Sequence, residues 1–488
     1  MAKRKLVGFL LGPALFILAL ASPVLTESAH AHRLLAIFLL VVAWWVTECI
    51  PIPMTALMIP VLITALGVAP VSEALAPFAN PIIFLFLGSF VLARAMCVHG
   101  LDRKLAYAVL SRKSIAGRKT RILFAMGLTS LVLSMWLSNT ATTAMMFPIA
   151  LGVLDAFEKR RNGENRTPFR VALLLTLAYA ASIGGVGTPI GSPPNLIAIG
   201  MLEKLAGNRI DFFQWMLAGS LVLIPMYAVL FILMRSRIRK EKPAQETEDL
   251  QIMATAPPKG LNRAQKNVLA AFSVTVFLWV LPGAVSLIWG RGSGLYLWLH
   301  DRFPEAVAAI IGALLLFALP VDPRKGIFTL ELKDAMKIDW GTLLLFGGGL
   351  SLGFQMFETG LADAIGRTFI SLGGDSAGPA LISFLAISLS VFLTELTSNT
   401  ASANMIIPII IAISQAAGID PLPPVLGSAI GCSFAFMLPV ATPPNAIIYG
   451  SGMISLPQMM RAGFRLNIAG ILIIWLSVGV SAPALGLF

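Results

Sequence analysis

The chain has 488 residues, 57% of them hydrophobic and only 12% charged, with a mean hydropathy of +0.84. Soluble domains carry about 25% charge, so a composition this apolar excludes an ordinary water-soluble fold. The net charge of +12 sits as Lys and Arg in short loops between apolar runs, the ordinary pattern of cytoplasmic loops, and argues against a nucleic-acid partner.

The start, Met1-Ala-Lys-Arg-Lys followed by an apolar run to about Ala21, resembles a signal peptide. The run is long and the rest of the chain is equally membranous, so residues 1–25 are expected to stay as a first span, outside the repeat described below. Further apolar runs lie near 34–68, 82–98, 122–156, 170–202, 214–234, 267–289, 305–320, 341–357, 378–416, 424–450 and 466–488. At roughly 20 residues per crossing, about ten to twelve spans fit. Residues 241–262 are polar and read as a cytoplasmic linker between two halves, 30–240 and 263–488. Tryptophans such as Trp44, Trp45 and Trp340 read as interfacial anchors. Cys49, Cys97 and Cys432, with four scattered histidines, give no disulfide framework and no zinc spacing.

The halves are related in sequence. At an offset of 260, Phe86-Leu87-Gly88 falls on Phe346-Gly347-Gly348 and Gly100-Leu101 on Gly360-Leu361. Ser138-Asn139-Thr140-Ala141 falls on Ser398-Asn399-Thr400-Ala401, and Pro148 on Pro408. At an offset of 250, Gly191-Ser192-Pro193-Pro194-Asn195 falls on Ala441-Thr442-Pro443-Pro444-Asn445. Two motif pairs in one order, at nearly one spacing, mark an internal duplication.

Flanking charge gives orientation. The first tripeptide segment, about 122–156, has Arg112, Lys113, Arg118, Lys119 and Arg121 before it and Lys159, Arg160, Arg161, Arg166 and Arg170 after it. Those flanks predict a hairpin that enters and leaves on the cytoplasmic side. The second, about 378–416, is flanked by Gly373-Gly374-Asp375-Ser376 and Gly418-Ile419-Asp420-Pro421, without nearby Lys or Arg, and should enter from outside. Related hairpins from opposite faces imply an inverted-topology repeat, with a cytoplasmic N-terminus and an outside C-terminus. The sequon Asn165-Arg166-Thr167 is then cytoplasmic and unused.

Three adjacent polar side chains at a hairpin tip are costly in hydrocarbon unless partnered. The paired prolines cannot continue a helix, so broken helices are expected at about 170–202 and 424–450. Broken helices at this depth are tolerated where they line a cavity, and their free N–H groups and carbonyls suit anions and cations respectively. Hydroxyls, amides and carbonyls form the oxygen-rich set of a hard cation such as sodium rather than a soft metal. Taken singly, each tripeptide could be helix–helix glue; duplication, tip position and the adjoining Pro-Pro break point to a binding site instead. Asn195 and Asn445 fit equally as structural caps. Glu48, Arg94 and Glu395, ionic residues in apolar surroundings, remain open between function and interfacial placement.

The segments Ser138-Asn139-Thr140-Ala141-Thr142-Thr143 and Thr394-Glu395-Leu396-Thr397-Ser398-Asn399-Thr400, with the two Pro-Pro-Asn motifs, resemble the divalent anion–sodium symporter family over nearly the whole chain after the first span. The resemblance implies an all-α polytopic membrane protein in the cell membrane, with about eleven transmembrane helices plus two re-entrant hairpins, working as a homodimer by an elevator motion. It implies one sodium site from Ser134, Ser138, Asn139 and Gly191, and another from Thr394, Ser398, Asn399 and Ala441, with Gly191 and Ala441 acting through backbone carbonyls. The substrate carboxylates would meet Asn139, Thr140, Ser192, Asn399, Thr400, Thr442 and Pro443, with Ser138 and Ser398 beside them.

No Lys, Arg or His lies inside either motif pair, so the counter-charge for a bound dianion falls to sodium, at least two ions. The expected function is sodium-coupled symport of C4-dicarboxylates such as succinate, malate or fumarate. A sodium-independent di- or tricarboxylate exchanger, or a citrate or sulfate transporter on the same scaffold, is the alternative. An enzyme would need a nucleophile–base pair or metal cluster at depth, which the sequence lacks. A channel fits opposed broken hairpins less well than alternating access does.

Overall fold

The computed structural model describes residues 3–22, 28–110, 118–158, 167–239, 260–371 and 378–484. Outside the described residues lie most of the expected linker 241–262, the flanking Arg112, Lys113, Lys159, Arg160, Arg161 and Arg166, the sequon's Asn165, and the flank 373–376. Within the described residues the regular secondary structure is helical apart from one short hairpin. The first half contains α1 (Lys3–Ala21), α2 (Ala29–Thr47), α3 (Ile52–Ala65), α4 (Val71–Leu75), α5 (Pro81–Val98), α6 (Leu101–Leu110), α7 (Lys119–Ser134), α8 (Asn139–Glu158), α9 (Pro168–Gly184), α10 (Pro193–Met201) and α11 (Phe212–Ile238). The second contains α12 (Arg263–Trp289), α13 (Gly294–Arg302), α14 (Glu305–Ala318), the antiparallel strands β1 (Pro320–Asp322) and β2 (Ile327–Phe328), α15 (Leu332–Ala335), α16 (Trp340–Glu358), α17 (Leu361–Ser371), α18 (Pro379–Thr394), α19 (Asn399–Ala416), α20 (Leu422–Gly431), α21 (Pro443–Gly450) and α22 (Leu456–Ala484).

Among the described residues, seven helical stretches are long and apolar enough to cross a membrane, α1, α2, α11 and α12 among them. Their outward faces carry bare apolar side chains, such as Leu10 and Leu18 on α1, Ile224 and Ile232 on α11, and Leu287 and Ile288 on α12. Faces this apolar mark a lipid-facing surface. Helix starts are set locally. Asp211 with Gln214, and Asn262 with Gln265, form reciprocal capping boxes at the starts of α11 and α12.

Residues one repeat apart make matching contacts. Gly100 and Gly360 both take positive φ, at 60° and 81°, where a side chain would be strained, and turn the chain into α6 and α17. Gly88 of α5 lies against the backbone of Ala309 on α14, and its counterpart Gly348 of α16 against that of Ala56 on α3. The halves are therefore interleaved, each lending a helix to the other. The counterparts Phe86 and Phe346 touch edge to face at 5.6 Å, so the relating axis passes between them. Cross-packing continues at the motifs, α8 against α21 and α10 against α19, while α11 packs on α22.

One reading changes here, and one left open gains partners. Trp45 is fully buried in the core beside α3 and α16 rather than anchoring an interface; Trp44 gives its indole N–H to the Gly8 carbonyl on α1 at 3.1 Å. Arg94 lies 3.8 Å from Asp334 and donates to its backbone carbonyl at 3.3 Å, tying the end of α5 to α15.

Close approach predicts which glycines cannot change. A Cβ at Gly184 would run into the Leu131 backbone of α7, whereas one at Gly152 meets nothing within 4 Å. Gly184→Ala should cost roughly 2 kcal/mol and lower the melting temperature of the purified protein in detergent; Gly152→Ala should leave it unchanged or raised.

Candidate functional site

Both tripeptides occupy hairpin tips. The first tip, residues 135–138, joins α7 to α8, and the second, residues 395–398, joins α18 to α19. Ser134 Oγ donates to Asn139 Oδ1 at 2.6 Å. Its counterpart Thr394 Oγ1 stands 2.7 Å from Asn399 Oδ1 and 2.8 Å from the Cys432 carbonyl oxygen. Three oxygens share the single hydroxyl proton there. Such a proton-poor cluster of neutral oxygens is the chemistry a hard cation satisfies.

The helices break beside each tip. α9 stops at Gly184 and the helix resumes at Pro193; α20 stops at Gly431 and resumes at Pro443. The prolines do not merely end a helix. Each pair opens the resuming one, where a missing N–H costs nothing. Asn195 and Asn445 are pins rather than caps. Asn195 Nδ2 donates to the carbonyls of Gly185 and Thr188 at 2.9 and 2.8 Å, and Asn445 Nδ2 to those of Ala435 and Leu438 at 2.9 and 3.0 Å. All three positions match at the offset of 250.

In the first half the break and the tip close on one another. Thr188 gives its hydroxyl to the Met135 carbonyl and accepts from the Gly191 N–H at 3.1 Å. A Cβ at Gly191 would stand 2.6 Å from the Gly185 oxygen and 3.0 Å from the Met135 oxygen; one at Gly185 would stand 2.6 Å from Asn139 Oδ1. Bare backbone thus lets Ser134, Met135, Asn139, Gly185 and Gly191 gather in one cluster. In the second half Ala435 and Ala441 stand at the two glycine positions.

The remaining predicted residues are presented unequally. Ser138 caps α8 by accepting from the Ala141 N–H at 3.2 Å and is exposed, as is Thr140; Ser398 and Asn399 are half-buried and Thr400 is buried. Ser192 is buried, and its hydroxyl lies 2.8 Å from that of Ser433, joining the two breaks. Thr442 accepts from the Asn445 N–H at 3.3 Å, and Pro443 beside it is exposed. A cavity of about 950 Å³ opens elsewhere, between α5, α10 and the start of α14, and touches the first break only at Pro189.

Glu395 takes a position the sequence left open. It is 3% exposed, at the second tip. Its carboxylate accepts from the backbone N–H groups of Phe436 and Met437 at 2.7 Å and Leu438 at 3.0 Å, and from Asn467 Nδ2 at 2.7 Å. It therefore holds the N–H side of a stretch whose carbonyl side Asn445 holds. Met135 is its counterpart in the first half. Glu48, in contrast, is half-exposed and lies 3.8 Å from Arg4. Thr188, Ser433 and Asn467 had no signal in the sequence beyond ordinary polar residues in apolar runs.

The chain matches the transmembrane region of sodium:sulfate symporters over residues 5–487. It is 35% identical over 490 residues to the sodium-dependent dicarboxylate transporter SdcS of Staphylococcus saprophyticus, covering 98% of this chain and 92% of the relative. The protein of that name from Staphylococcus aureus is 35% identical over 493 residues, covering 98% and 91%. The crystal structure of the YdaH transporter of Alcanivorax borkumensis is alike in fold, with a TM-score of 0.60 at 13% identity and coverage of 99% and 98%.

Removing Glu395 strands the buried N–H of Phe436 and the part-buried N–H groups of Met437 and Leu438; a stranded buried donor costs about 1–3 kcal/mol. Glu395→Ala should lower stability in detergent by about 3 kcal/mol or more, read as a fall in melting temperature. Glu48→Ala breaks a single exposed ion pair and should cost less than about 1 kcal/mol.

Proposed function

The chain belongs to the sodium:sulfate symporter family and is a transporter rather than an enzyme; from that premise we propose that it imports C4-dicarboxylates such as succinate, malate or fumarate by sodium-coupled symport. The observation that carries this reading is the proton-poor oxygen cluster at each tip, Ser134 with Asn139 and Thr394 with Asn399 and the Cys432 carbonyl. Each tip suits one sodium ion, so at least two ions accompany a dianion. Arg4 reaches the Leu396 carbonyl at 2.8 Å, yet its guanidinium is already engaged by the Val46 carbonyl and Glu48. The relatives named above are sodium-dependent dicarboxylate transporters, which agrees in both cation and substrate class.

The sodium sites are Ser134, Ser138, Asn139 and Gly191 in the first half and Thr394, Ser398, Asn399 and Ala441 in the second. The anion site follows from helix ends. Four helices begin at the four motifs, α8 at Asn139, α19 at Asn399, α10 at Pro193 and α21 at Pro443. Helix N-termini offer free N–H groups and a favourable dipole to carboxylates. Thr140, Thr400, Ser192 and Thr442 add hydroxyls, and Pro443 an apolar wall. Sodium neutralises and orders the tips, and the carboxylates then bind.

Two hairpins, two broken helices, α11 and α22 then move as one body against a scaffold of α2, α3, α5, α12, α14 and α16, held in the cell membrane as a homodimer of about eleven spans per chain. Charge flanks put the N-terminus inside and the C-terminus outside. On that topology the end of α2 is cytoplasmic. The tip of the outside-entering hairpin meets it, Thr397 Oγ1 donating to the Trp45 carbonyl at 3.2 Å. The moving body therefore stands toward the cytoplasm, the inward-facing arrangement.

Uptake of labelled succinate into proteoliposomes tests the proposal. Accumulation should follow an inward sodium gradient and be competed by malate and fumarate more than by citrate or sulfate. Uptake that ignores sodium and needs internal dicarboxylate would make the protein an exchanger. Thr140→Val and Thr400→Val each remove a hydrogen bond to a charged group, worth about 1.5–3 kcal/mol, so KM for succinate should rise at least about tenfold in protein that stays monodisperse.

A further inference from the structure

Several buried hydroxyls on the repeat helices bond to the carbonyl four residues back. Thr129 of α7 does so to Ala125 at 2.7 Å, Thr176 of α9 to Ala172 at 2.7 Å, and Ser390 of α18 to Ala386 at 2.8 Å. Ser130, Thr143 and Ser182, on α7, α8 and α9, do not. All three are 0% exposed, and their hydroxyl oxygens have no hydrogen-bond partner; Thr142 of α8 is left likewise, but so is its counterpart Ser402, so that pair does not distinguish the halves. Buried polar groups without partners are rare and call for an occupant.

Their positions coincide in depth. Ser130 lies four residues before Ser134, Thr143 four residues after Asn139, and Ser182 three residues before Gly185. At about 1.5 Å rise per residue, each sits about 4.5–6 Å along the helix from a member of the Asn139 cluster, on nearly the same helix face. The second half shows what closes such a tier. The counterparts are Ser390, Ala403 and Cys432. There Ser390 bonds its own helix, the Cys432 thiol lies within hydrogen-bond reach of Ser390, and Ala403 has nothing to offer. By the same repeat, Ser130 and Ser182 hold the positions of that contacting pair in the first half, and they are not bonded to each other.

We infer that Ser130, Thr143 and Ser182 form a further sodium site, one helical turn beneath the Asn139 oxygens and without an equivalent in the second half. Neutral hydroxyl oxygens with no carboxylate among them suit a monovalent hard cation; calcium would call for acidic ligands. The inference rests on the sodium-symport reading above. Two sodium ions balance a dicarboxylate dianion, so an added ion makes each cycle carry one net positive charge inward, and the membrane potential then assists uptake.

The test imports the second half's residues, which fit that framework: Thr143→Ala and Ser182→Cys. Reversal potentials in proteoliposomes give the charge moved per succinate, and sodium titrations of the melting temperature in detergent give the number of ions bound without transport. The unaltered protein should be electrogenic. Each variant should bind one sodium fewer and lose its net charge per succinate, with sodium-driven uptake retained, while Ser402→Ala in the second hairpin should change neither. Variants that keep the wild-type charge and sodium number, or an unaltered protein that is electroneutral, would overturn the site and leave buried water as its occupant. Loss of sodium dependence in the unaltered protein would instead overturn the symport reading.

Discussion

Non-helical backbone inside a membrane has no water to satisfy it, and the rest of this architecture answers to that constraint. Two side-chain amides meet most of it. Asn195 and Asn445 each collect two carbonyls from an unwound stretch and hold it at a fixed shape. Glu395 collects the N–H groups that the second stretch leaves over. With the breaks held, four helix N-termini can be kept at depth without fraying. Each hairpin tip can then rest against a stable floor.

The two halves solve the same problem with different chemistry. At the first tip, Met135 offers only a carbonyl, and Thr188 ties it down; at the second, a buried carboxylate does the tying. Bare glycines at 185 and 191 admit close oxygens in the first half, where alanines stand in the second. Thr140 is exposed and Thr400 buried. A duplicated scaffold therefore carries two chemically unequal tips.

Interleaving explains how such halves stay in register. Gly88 against Ala309 and Gly348 against Ala56 let helices from different halves approach backbone to backbone. Small residues at crossings do in lipid what hydrophobic burial does in water, because lipid gives no reward for hiding apolar side chains. Ionic contacts lie at the ends of helices instead. Arg209 bridges Glu203, just past α10, and Glu305 at the start of α14, each at 3.8 Å.

Sequence alone determined the membrane class, the duplication, both hairpin tips and both helix breaks. These follow from local physics: apolar length, proline's missing N–H, and polar residues that hydrocarbon would otherwise reject. It also singled out Asn139 and Asn399; Ser134 and Thr394, implied only by the family resemblance, are bonded to them in the structure. What the tertiary structure decided were the partners across distance. That Asn195 faces Gly185, that Glu395 faces residues 436–438, and that Ser192 meets Ser433 depends on how separate helices cross. Trp45 turned inward and the three orphaned hydroxyls of α7, α8 and α9 came to light for the same reason. A side chain's spacing gives its face on its own helix, but only packing decides what that face meets.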